Sequence, residues 1–249
     1  MGELWVGKCS LAEIDGCNAQ SRYPMENLPS PIRRLQTLIA SVAGEEAGVR
    51  TLRLESLHVL PRNATVQRAR VERFIERRYL DRFGSRIVEH YPTLLSLQSD
   101  DGNVRATIGL RNAFREPLFL ERYFDEPIER MISHAMGAMP ARADILEIGN
   151  MASIGRTASA RLIAASASYL GNSRCRYAVV TATEELRRML GAFGFAWRTL
   201  GPARADKLPD HGRSWGSYYE QNPEVLVGDI RQSSERILSY VRVVNIEVF

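Results

Sequence analysis

The chain has 249 residues, 45% apolar and 25% charged, with a net charge of +4, the profile of an ordinary globular protein able to bury a substantial core. The excess charge is arginine and suits an acidic partner, such as a phosphate-bearing cosubstrate or an acidic carrier protein. It is too mild to argue for nucleic acid without an aromatic-interleaved basic stripe.

Cys9, Cys17 and Cys175 are odd in number and have no CxxC spacing, which argues against a disulfide framework or zinc site and fits a reducing cytoplasm. His58, His90, His134 and His211 are scattered, so no metal site is expected. The N-terminus lacks a basic start before an apolar stretch, and no apolar run approaches ~18 residues, so neither secretion nor a membrane span is indicated.

Residues 1–48 are punctuated by Pro24, Pro29, Ser30 and Pro31 and read as an N-terminal extension. Within it, Ile32–Ala43 has the apolar spacing of a short docking helix. Residues 49–249 read as one domain. Thr51–Pro61 alternates leucines and Val59 with polar residues and predicts a strand. A helix over 66–83 follows, with Val71, Phe74, Ile75 and Leu80 inward and Arg68, Arg70, Arg73, Arg77, Arg78 and Arg82 on a solvated face that is also a candidate carrier-protein surface. Leu94–Gln98 and Val104–Leu110 form a hairpin across Ser99–Asn103, and Leu118–Ala135 reads as one helix.

Asp144–Ile163 is the organising stretch. It reads as a short strand with Ile145, Leu146 and Ile148, bounded by Gly149-Asn150, then a small-residue loop through Gly155 and a helix. Strand, glycine-containing loop and helix together aim backbone N–H groups at an anionic ligand. Glu147 stands inside the strand, where an ionisable group needs a partner or a task. Tyr177–Thr183 (strand), Glu184–Gly194 (helix) and a strand from Trp197 follow, then a surface loop over Gly201–Arg213 and an aromatic, glycine-hinged segment at Trp215–Tyr219. Val225–Ile230 and Val241–Val248 supply late strands. The order predicts an α/β (α+β mixed) architecture: a twisted mixed sheet with helices on both faces.

That element order is similar to the GNAT acyltransferase superfamily, and the chain more specifically resembles the thermostable hemolysin family, whose members are GNAT-like. The resemblance is carried by Ala106–Arg111, Leu118–Tyr123, Pro127–Glu129, Glu147–Ala152, Thr181–Thr183, Trp215–Tyr219 and Pro223, in order over roughly residues 55–230. The layout is also similar to acyl-homoserine-lactone and N-acyl amino acid synthases.

The resemblance implies an acyltransferase that moves an acyl group from a pantetheine thioester to the amine of a small metabolite, an amino acid or a derivative. Acyl-CoA or acyl-phosphopantetheine is then a cosubstrate, and no tightly bound cofactor is expected. Two strands, holding Glu147–Met151 and Val179–Thr183, would part to admit the pantetheine arm. Gly149, Met151, Ala152, Gly155, Arg156 and Thr181 are the expected donor contacts, and Glu147 and Asn150 the catalytic candidates, Glu147 taking or relaying the amine proton. An ion pair of Glu147 with Arg111 or Arg105 is the structural alternative. Arg111 would hold an acceptor carboxylate; Glu121, Trp215, Tyr218 and Tyr219 would line the acceptor or acyl side. The superfamily's Gln/Arg-x-x-Gly-x-Gly/Ala loop is half matched, with Ala152 first, Gly155 central and Thr157 last. That departure leaves an acyl-carrier protein as open a donor as acyl-CoA. Two other classes of function compete: a membrane-active hemolysin-like protein and a non-catalytic binding module.

Overall fold

The structure, a computed structural model, describes residues 55–243, so the predicted docking helix at 32–43 and the boundary near residue 48 lie outside the described residues. Seven strands form one mixed sheet in the order β1-β2-β3-β4-β5-β7-β6. They are β1 (Glu55–Pro61), β2 (Thr93–Ser99), β3 (Val104–Asn112), β4 (Ile145–Ser153), β5 (Tyr177–Ala182), β6 (Arg198–Pro202) and β7 (Glu224–Asp229). Five α-helices accompany them: α1 (Thr65–Phe83), α2 (Ile128–Met136), α3 (Arg156–Gly171), α4 (Glu184–Ala192) and α5 (Ile230–Val243). The mixed sheet covered on both faces is the architecture the sequence predicts.

Neighbouring strands pair antiparallel except β4 and β5, which α3 joins in a parallel crossover. Alternation sorts their side chains. Ile145, Tyr177, Val179, Val225 and Val227 face Ile128 and Ile132 of α2, whereas Leu146 and Ala178 face Ala158, Leu162 and Leu170 of α3. Each fully buried valine, leucine or isoleucine among them contributes about 1.5–3 kcal/mol. Val71 and Ile75 of α1 pack on Leu94, Val104 and Ala152.

Local chemistry sets the boundaries. α1 ends because Gly84 takes the left-handed conformation at φ 69°, where its N–H and that of Ser85 close onto Leu80 and Tyr79 carbonyls. Thr183 starts α4 by accepting the Leu186 N–H.

Four expectations need correction. Leu118–Ala135 is not one helix: a 3-10 turn over Leu120–Tyr123 precedes α2, and the break falls before Pro127, which has no N–H to continue the ladder and occupies the N-cap of α2. The strand assigned to Val241–Val248 begins inside α5, and residues 244–249 lie outside the described residues. On α1 the inward and outward assignments change at two positions. Leu80 is 53% exposed, while Arg68 is only 6% exposed and donates to the carbonyls of Leu60, Tyr91 and Pro92. Finally, Gly149-Asn150 does not end β4. The strand runs on to Ser153, with Asn150 at φ 46° in a bulge, where Thr107↔Ala152 gives way to Gly109↔Gly149.

Candidate active site

The ladder between β4 and β5 covers four pairs, from Ile145↔Tyr177 to Ile148↔Val180. Beyond it β4 continues to Ser153 and β5 to Ala182, so the backbone of Gly149–Ser153 has a partner strand only on its β3 side. The bulge at Asn150 lies just past this parting point. Unpaired strand backbone of this kind can accept an extended, amide-bearing ligand as an added strand. Gly149, Met151 and Ala152 lie along that segment, and Thr181 lies on β5 one residue past its last pair with β4. Gly155 is the N-cap of α3 and Arg156 its exposed first residue.

Glu147 precedes the parting point by one residue and is 1% exposed. Its carboxylate accepts the backbone N–H of Phe119 at 2.8 Å and of Leu120 at 3.0 Å, both offered by the 3-10 turn, together with the Tyr91 hydroxyl. Burial pushes its pKa up to about 7, against the lowering effect of the Tyr91 hydrogen bond, the two N–H donors and the Arg111 charge. The carboxyl is thus poised to exchange a proton at neutral pH.

Arg111 sits opposite Glu147 in the β3–β4 register, yet its guanidinium goes elsewhere. It donates to Glu89 at 2.7 Å and to the Pro117 carbonyl at 3.3 Å, and it lies 4.4 Å from the Tyr91 ring centroid. At 4% exposure Arg111 is enclosed. Arg105 pairs with Glu55 instead. Glu89 also receives Arg122 at 3.0 Å. Burial alone would raise Glu89, but the two guanidiniums outweigh it and hold its carboxyl below the usual range.

Tyr91 is the residue the sequence reading missed. Gly109 and Gly149 face each other across β3 and β4, and Tyr91 lies over both. A β-carbon at Gly109 would stand 2.7 Å from Tyr91 Cβ, and one at Gly149 would stand 2.5 Å from its Cζ and hydroxyl oxygen. The two in-register glycines therefore form a trough that admits the ring and brings its hydroxyl to the parting strands. The only sequence signal was that pair of strand glycines, which mark close approach.

Asn150 secures the segment that carries Tyr91. Its Oδ1 accepts the Tyr91 N–H at 2.8 Å and its Nδ2 donates to the Glu89 carbonyl at 3.4 Å. Glu121 accepts two hydrogen bonds from Arg142, at 2.7 and 2.8 Å, and caps its own turn by accepting the Leu118 N–H. Trp215, Tyr218 and Tyr219 pack with Phe119, Tyr123, Tyr79 and Phe83 as an aromatic wall beside the turn. The hydroxyls of Tyr123 and Tyr219 meet at 2.7 Å. Gly216, at φ 54°, lets this wall close on the end of α1, since a β-carbon there would stand 1.9 Å from the Phe83 carbonyl oxygen. The structure thus gathers Glu147, Asn150, Arg111 and the aromatic wall around Tyr91, and holds Glu121 in an ion-pair network with Arg142 and Glu129.

The thermostable hemolysin family's sequence profile matches residues 62–234, more than half of the chain. The chain belongs to this family. No curated protein matches this hemolysin-family chain in sequence. Among solved structures it is similar to FeeM, an N-acyl amino acid synthase from uncultured soil microbes, at 13% identity and a TM-score of 0.55, over 76% of this chain and 97% of that one. It is also similar to the acyl-homoserine lactone synthase LasI, at 13% identity and a TM-score of 0.53, over 75% and 95% of the two chains. A third likeness is to BjaI, a CoA-dependent acyl-homoserine lactone synthase solved with SAM and isopentyl-CoA, at 15% identity and a TM-score of 0.51, over 78% and 92%. At these identities the likeness establishes the fold: the hemolysin-family chain has a GNAT-like sheet. Among the described residues no helix is long and apolar enough to cross a membrane.

Proposed function

We propose that the protein is an N-acyltransferase that moves an acyl group from a pantetheine thioester, acyl-CoA or acyl-carrier protein, to the amine of a small metabolite. The observation that carries this reading is a buried carboxyl of neutral pKa, Glu147, hydrogen-bonded to a tyrosine hydroxyl that lies at the parting of β4 and β5. The fold shared with the synthases named above supports the class of reaction.

The pantetheine arm lies along Gly149–Ala152 as an added strand, with Thr181 on the opposite side and Gly155 and Arg156 toward the phosphate end. Backbone N–H groups near Gly149–Met151 stabilise the oxyanion that forms when the amine attacks the thioester carbon. Glu147, being enclosed, works through Tyr91. As the C–N bond forms, the amine proton passes to the Tyr91 oxygen and the Tyr91 proton to the Glu147 carboxylate. When the tetrahedral intermediate collapses, the C–S bond breaks, and the returning proton neutralises the departing thiolate. The products are an amide and a free thiol, and Glu147 is again ionised. Asn150 positions Tyr91, and the aromatic wall bounds the acyl or acceptor side.

The test is a screen of purified protein with acyl-CoAs and acyl-carrier proteins, read first by thermal shift and then by free-thiol release on adding amines. Stabilisation by one donor class, with amine-dependent thiol release, is expected. Stabilisation and leakage of lipid vesicles, with no effect of any thioester, would overturn the reading in favour of membrane activity.

A further inference from the structure

Two arginines adjoin the groups that hold Glu147 and Tyr91. Two guanidiniums, those of Arg111 and Arg122, share a single carboxylate, Glu89. Glu147 is held instead by the Phe119 and Leu120 N–H groups and hydrogen-bonds neither arginine. The two arginines differ in access. Arg111 is enclosed, and its buried Nε has no hydrogen-bond partner.

Arg122 is 43% exposed, and its one side-chain hydrogen bond among the described residues runs from Nη2 to Glu89. Most of its donor fork is therefore unengaged, in the planar arrangement that matches a carboxylate. Its guanidinium is held over the Phe119 ring, 4.4 Å from the centroid. The backbone N–H of that same Phe119 holds the Glu147 carboxylate. One residue thus ties the proton acceptor to an accessible cation.

We infer that the acceptor is an amino-carboxylate of amino-acid type, and that Arg122, stacked on Phe119, receives its carboxylate while its amine meets Tyr91. Arg111 acts behind it by holding Glu89 and Tyr91 in place. The inference rests on the acyl-transfer reading and narrows it, because simple amines and amino-acid amides lack the group that Arg122 takes.

The experiment compares amino acids with their C-terminal amides as acceptors, in wild-type protein and in Arg122→Gln, by free-thiol release from acyl-CoA. Wild type should favour the acids, and Arg122→Gln should raise KM for the acids by about 10- to 100-fold, the range for a charge-assisted contact. Its kcat, and KM for any amide that reacts, should change less than about twofold. Equal use of acids and amides by wild type, or an equal loss with both in the variant, would overturn the inference. Absence of thiol release with every acceptor, from acyl-CoA and acyl-carrier protein alike, would count against acyl transfer itself. Ligand-observed NMR of the same acids and amides, with CoA present, then decides the inference separately. Acid-selective binding lost in Arg122→Gln would support it, and no difference between acid and amide would overturn it.

Discussion

Tyr91 lies so close over Gly149 that a β-carbon on the glycine would stand 2.5 Å from the tyrosine Cζ and hydroxyl oxygen. This contact delivers a phenol to the place where the β4–β5 ladder stops, beside a carboxyl whose pKa is about 7. Gly149→Ala should therefore destabilise the protein by about 1–3 kcal/mol, the cost of overpacking, and should lower turnover by displacing the phenol. Combining it with Tyr91→Ala should recover part of that stability without recovering activity. Denaturant melts of the single and double variants measure the coupling, expected at about 0.5–3 kcal/mol; strictly additive costs would contradict the contact.

Tyr91→Phe keeps the ring in its trough and removes only the hydroxyl. That hydroxyl lowers the pKa of Glu147, so its loss should move the kinetic pKa of kcat/KM upward from about 7. Turnover should fall by about 100-fold or more if the phenol carries the proton. The pH profile of thiol release checks both. An unchanged profile and rate would leave Tyr91 with packing alone.

Glu147 also links stability to pH. Its folded-state pKa of about 7 stands above the ordinary value of 4.5, so the folded state holds this proton more tightly than the unfolded chain does. The resulting stabilisation is complete below about 4.5 and is lost as pH rises through about 7, with a total near 3 kcal/mol at 1.36 kcal/mol per unit. Chemical denaturation of wild type and Glu147→Gln between pH 4.5 and 8 isolates this contribution. Wild-type stability relative to the variant should fall across that window, and parallel curves would contradict the buried, neutral carboxyl.

Arg68 makes a separate prediction about how Tyr91 is held. Its buried guanidinium gathers the carbonyls of Leu60, Tyr91 and Pro92 and pairs with Glu72 at 2.7 Å. Arg68→Ala should cost about 3–5 kcal/mol, because buried groups lose their partner. Arg68→Lys should recover little of it, since an ammonium cannot span three carbonyls as a planar fork does. Thermal and denaturant melts read the result. A cost below about 1 kcal/mol would return Arg68 to the solvated face that sequence spacing suggests.

Much of the fold was legible because period and punctuation agreed. The β2–β3 hairpin followed from its turn residues, and α1 from its apolar spacing. Where long-range contact decides, the sequence misled. The spacing of Arg68 on α1 cannot show that three distant carbonyls await it, nor that Leu80 faces solvent. At the site, Glu147 was visible as a carboxylate in a strand, because such a residue always requires an account. Arg111 was visible through its motif, but its partner Glu89 lies 22 residues away in the chain. Tyr91 gave no local signal at all; its position depends on Gly109 and Gly149 meeting in register, which only the folded sheet provides.

The most direct test of the account is mass-spectrometric detection of acylated amine formed from an acyl thioester by wild-type protein and by Glu147→Gln at neutral pH. The account predicts stoichiometric amide and free thiol with wild type, and a rate lower by about 100-fold or more in the variant. Equal amide formation by both would remove Glu147 from the chemistry. No amide from any thioester and amine would contradict the acyltransferase reading itself.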